Sequence, residues 1–94
     1  MNRLTEVPSE VTALLTAIVE ALDIPFPSVE DAEERKHYRV LEKRVQDVVI
    51  PLSSLMKYPG EGALETATLF VREWMQRHPV TYTPFDFTET EGEG

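Results

Sequence analysis

Residues 30–37, EDAEERKH, crowd four carboxylates and an imidazole into two turns of chain. Carboxylates at helical spacing can hold magnesium. An all-helical pyrophosphohydrolase does so with Glu-Glu-x-x-Glu on one helix and Glu-x-x-Asp on another. Here Glu33 and Glu34 are followed by His37 where the third glutamate is needed, and Glu42 and Asp47 stand too far apart for the second half. The pattern fails twice. Acids in the first turn of a helix answer the helix dipole, and Asp31 can pair with Arg35 at i, i+4.

Other chemistries fare no better. Glu33 and His37 lie one turn apart and could supply two metal ligands, but His78 stands at the far end of another helix. The absence of cysteine removes thiolate nucleophiles, disulfides and Cys-containing zinc sites. Ser53 and Ser54 have no base in register, and PGEG at residues 59–62 lacks the Lys-Ser or Lys-Thr of a phosphate loop. The expectation is a non-enzymatic protein with no catalytic residue, metal or cofactor.

A basic row is the residue pattern that invites a partner. At 100° per residue, Arg35, Lys36, Arg39 and Lys43 fall within about a 100° arc, and Ile50 projects onto the same side. Like charges four apart repel by a few tenths of a kcal/mol per pair. Such a row is commonly just a solvated helix face. As a functional surface it would take an acidic partner, with Ile50 as an apolar anchor, which makes Arg35, Arg39, Lys43 and Ile50 the candidate partner-binding residues.

Three helices must position that row. Pro8 and Ser9 start the first, and Val11, Leu14, Leu15, Ile18 and Leu22 give it one apolar face until DIPFP stops it. Ser28 is expected to open the second, with Glu30 and Asp31 in its first turn. Tyr38, Leu41, Val45, Val48, Leu52 and Leu55 then repeat at 3, 4, 3, 4, 3. This seam of roughly two and a half heptads suits a bundle helix and also offers a route to a homodimer. It carries on past Pro51, so the helix is expected to be kinked there, or broken and resumed.

The third helix is expected from about Gly62 to Arg77. Leu64, Ala67, Leu69, Phe70, Val71, Trp74 and Met75 cover more than half its circumference, as suits a helix at the centre of a domain. Pro79 and Pro84 make the following PVTYTPFDF extended, and Tyr82, Phe85 and Phe87 should bring it back onto the helices. The expected organisation is one all-α domain over residues 1–88 and an acidic flexible tail over 89–94.

The chain has 94 residues, 41% hydrophobic and 28% charged, a normal globular composition. Its net charge of −8 is uneven: −3 over residues 1–27, zero over 28–59 and −5 over 60–94. That balance opposes non-specific nucleic-acid binding. DIPFPS is too proline-rich for the turn of a helix-turn-helix, which argues against a DNA-binding regulator. An acidic surface could instead mimic nucleic acid and inhibit a DNA-binding protein, the alternative reading. No signal peptide or membrane-spanning run is visible, so a cytoplasmic, membrane-free setting is expected.

ALDIP at Ala21–Pro25 and PVTYTP at Pro79–Pro84 resemble features of small uncharacterised proteins of actinobacteria and their bacteriophages. The resemblance brings no catalytic residue. It implies a bacterial cytoplasm and a phage or mobile-element protein that binds and modulates a host protein.

Overall fold

A computed structural model describes residues 7–86. Three helices follow in order: α1 (Ser9–Leu22), α2 (Asp31–Lys57) and α3 (Ala63–Gln76). No β-strand occurs among the described residues, only an isolated antiparallel bridge between Pro27 and Pro84. The fold is a small all-α bundle. The 88/89 boundary and the acidic residues Glu89, Glu91 and Glu93 lie outside the described residues, as does Phe87.

Pro8 is the N-cap of α1, which leaves Ser9 inside the helix. α1 ends where the Asp23 amide donates to the Val19 carbonyl and the chain enters Ile24–Pro27. α2 starts later than Ser28 suggested: its first residue is Asp31, capped by Glu30. The Ser28 amide is occupied elsewhere, donating to the Thr83 carbonyl at 2.9 Å. Gly62 opens α3 in the left-handed region at φ 80°, a conformation that costs a side-chain-free residue little.

α3 packs against both other helices and is the central element. The core consists of Leu14, Ala17 and Ala21 from α1, Val48 from α2, and Ala67 and Val71 from α3. Ile18, Leu52, Leu55, Leu64 and Met75 pack around it, partly buried. Val71 is its largest wholly enclosed side chain, and such burial contributes about 1.5–3 kcal/mol. The buried face of α1 is centred on Ala17 and Ala21, so Leu15 and Leu22 are exposed rather than sharing the core with Leu14. Leu69 and Phe70 of α3 are likewise exposed.

The helix carries on through Pro51 without a break, so the alternative of a broken and resumed helix does not hold. Proline cannot donate to the carbonyl of Asp47, a loss of about 3 kcal/mol or more in an ordinary helix interior. Its ring is buried, so apolar burial offsets part of that loss. Ile50, one residue earlier, faces away from the core and is 48% exposed.

Beyond α3 the chain folds back as expected. Residues 78–85 run antiparallel to the N-terminal half of α2, as their contacts show: His78 meets Arg44 and Asp47, Tyr82 meets His37, and Thr83 meets Glu33. The Phe85 amide then donates to the Phe26 carbonyl at 2.8 Å.

Candidate interaction surface

One side of α2 is spent holding the molecule together. Arg44 is buried, with 8% exposure, and its guanidinium has no carboxylate partner among the described ion pairs. Instead Nε donates to the His78 carbonyl and Nη1 to the Ala21 carbonyl, both at 2.8 Å. Ala21 lies in the last turn of α1, where carbonyls lack helical partners and the dipole is negative. A cation there satisfies both requirements. One turn on, Asp47 Oδ2 accepts from His78 Nδ1 at 2.7 Å.

Glu33 anchors the other end. Its carboxylate accepts from the Thr83 backbone amide and pairs with Lys36 at 3.3 Å. The Thr83 bond, then Lys36, holds its carboxyl below the ordinary value despite the opposing effect of burial. The His37 ring stands edge-on to Tyr82 at 5.1 Å and to Tyr38 at 5.3 Å. The Tyr82 hydroxyl donates to the Pro25 carbonyl, and burial pushes its phenol up against a smaller downward pull from Arg44. Glu33 and His37 thus both contact the fold-back segment, through Thr83 and Tyr82. Among the described residues no group of three or more His, Cys, Asp or Glu is placed to hold a metal ion. The expected Asp31–Arg35 pair is not among the described ion pairs; the first-turn pair is Glu33–Lys36.

The opposite side of α2 is left to solvent. Arg35, Arg39, Lys43 and Ile50 are all exposed on it, as the helical projection places them. Steps of four residues set the three cations about 6 Å apart along the axis. None of the three has an ion-pair partner among the described residues, whereas Lys36, predicted in the same arc, is turned to Glu33. Gln46, also exposed, fills the row between Lys43 and Ile50, and the exposed Ser53 and Lys57 extend it past Ile50.

Arg77 joins this face from another element. It follows the last turn of α3, where a cation suits the helix dipole, and with Arg39 and Lys43 it lines a cleft of about 280 Å³ walled by Val40 and Pro79. Helix periodicity within α2 could not reveal a residue 34 positions further on. The signal available was a base immediately before the helix-ending His78–Pro79.

The seam is divided by the fold. Val48, Leu52 and Leu55 join or border the core, but Tyr38 is 58% exposed and Val45 is 40% exposed. Tyr38, Leu41 and Val45 line a shallow groove of about 470 Å³ along the outside of α2, with Arg39, Glu42 and Gln46 on its edges. No helix among the described residues is long and apolar enough to cross a membrane. Compared with protein-family models, curated proteins and solved structures, the chain finds no match in any of the three.

Proposed function

We propose that the chain is a non-enzymatic protein-interaction module whose contact face is the exposed row Arg35, Arg39, Lys43 and Ile50. The observation that carries this reading is the row itself: three cations without ion-pair partners among the described residues, with an exposed isoleucine, on the side of α2 turned away from the core. An aliphatic side chain there contributes little to folding and suits the desolvated centre of an interface. The setting proposed is a bacterial cytoplasm, with the chain encoded by a phage or mobile element and acting on a host protein.

Affinity capture from host lysate, with the parent chain and Ile50→Asp side by side, tests the reading. A host protein retained by the parent and lost by the variant supports it, provided helicity and melting temperature are unchanged. Equal capture by both chains sinks it, and so does a variant that unfolds.

A further inference from the structure

Arg39 borders two depressions at once. On one side lies the open groove of Tyr38, Leu41 and Val45, bordered by Glu42 and Gln46 as well as Arg39, with the exposed Val49 one turn beyond; the Glu42 carboxylate on that border directs a ligand's acids to the Arg39 side. On the other lies the cleft lined by Arg39 and Lys43 from α2 and by Arg77 just after α3. Both depressions are open on the solvent side, although the groove continues the seam whose later members, Val48, Leu52 and Leu55, meet the core, and the buried Val40 walls the cleft. Three like charges around one cleft repel, and an anion seated there would relieve that repulsion. An apolar groove sharing a wall with a cationic cleft is a two-part surface, and each part specifies a different portion of a ligand.

The geometry points to an acidic peptide segment with an apolar anchor as the occupant of this face. The anchor fills the groove over Tyr38, Leu41 and Val45, and two or three carboxylates meet Arg39, Lys43 and Arg77. This rests on the reading of the basic row as a contact face and adds the chemistry of the partner. A nucleic acid fits less well, because a long polyanion would meet the net charge of −8. A short acidic segment meets the local cations alone, since charges more than about 10 Å away are screened at ordinary salt. The apolar row from Tyr38 to Val49 spans about 16 Å, enough for a helical segment of roughly eleven residues or an extended one of five.

Selection of a random twelve-residue peptide library on the immobilised full chain tests this, with binding of the labelled winners read by fluorescence anisotropy. Expected winners carry an aromatic or large aliphatic residue beside two or more Asp or Glu. Their affinity should fall at least about tenfold in Arg39→Glu and in Val45→Asp, and weaken as salt rises. Both positions are exposed, and Arg77→Glu repeats the test from outside α2 should an α2 variant misfold.

Winners without acids, winners indifferent to Arg39→Glu and Arg77→Glu, or no enrichment overturn the proposal. A dimer in light scattering that Val45→Asp disperses assigns the face to a second copy and also overturns it. Binding that emerges only when Glu89, Glu91 and Glu93 are changed to Gln assigns the face to the chain's own acidic end, and the proposal falls with it. Failure of peptide binding with Ile50-dependent capture intact sinks this inference alone. Peptide binding without any Ile50-dependent capture sinks the broader reading instead.

Discussion

Arg44 Nε lies 2.8 Å from the carbonyl oxygen of His78, which ties the middle of α2 to the point where the chain leaves α3. The same guanidinium holds the Ala21 carbonyl in the last turn of α1. One side chain thus gathers three helices at one place. Replacing it with methionine keeps much of the volume but leaves two carbonyls without a donor. We expect Arg44→Met to cost about 3 kcal/mol, on the order of 15 °C in melting temperature for a chain of this size. Lysine should rescue less than half of that, because an ammonium on a single stem cannot reproduce the planar fork. Urea and thermal melts of the two variants check the claim.

The second expectation concerns acid. Glu33 has a folded-state pKa below its ordinary 4.5, so the stability it contributes is present above that value and is lost as pH falls through the folded pKa. Its principal partner is the Thr83 amide, so acid should release the fold-back segment. The parent should show a stability loss on acidification below pH 4.5 that Glu33→Gln lacks, with Gln less stable than the parent at neutral pH. Urea melts from about pH 3 to 7, which bracket the carboxylate range, measure both.

Alkali probes the opposite sign. The Tyr82 phenol is raised above 10.0 by burial, so its contribution is complete below pH 10 and declines as pH rises through the folded pKa. Tyr82→Phe loses the bond to the Pro25 carbonyl, worth about 1 kcal/mol, and should remove that part of the alkaline decline. Spectrophotometric titration of the tyrosinates, with stability followed in parallel, tests it.

Ala17 is fully enclosed in the core, so a larger side chain has no room. Ala17→Leu should cost about 1–3 kcal/mol or more through overpacking. Ala13, on the exposed side of the same helix, should accept leucine within about 0.5 kcal/mol. Equal melting temperatures for the two variants would place the α1 interface elsewhere.

Helix limits were readable because prolines and glycines mark them: Pro8, the prolines after Asp23, Gly62 and Pro79 bound α1 and α3 closely. Tyr82 and Phe85 announced the fold-back. The buried faces were less readable, for two reasons. Apolar periodicity weights large residues, whereas α1 buries alanines and leaves Leu15 outside. It also treats charges as solvated, whereas Glu33, Arg44 and Asp47 are buried against backbone groups and a histidine many residues away. Those partners come together only after the chain has turned twice. The exposed row of the candidate site needed no tertiary information beyond α2, since helical spacing alone puts its members on one face; Arg77 needed the fold.

The proline in α2 has a consequence for how the molecule opens. N-terminal to it, α2 is held by bonds from Glu33, Arg44 and Asp47 to the returning chain, and by Val48 in the core; C-terminal to it, by Leu52 and Leu55 packing against that core. At residue 51 the amide ladder lacks a rung, so the two halves are joined by one hydrogen bond fewer than any other pair of neighbouring turns in an unbroken helix. Amide exchange should therefore divide α2 into two cooperative units with their border at Pro51. Acid below pH 4.5 would lower the opening free energy of the first unit, where Glu33 is anchored, more than that of the second, and α2 would report two opening free energies within a single helix.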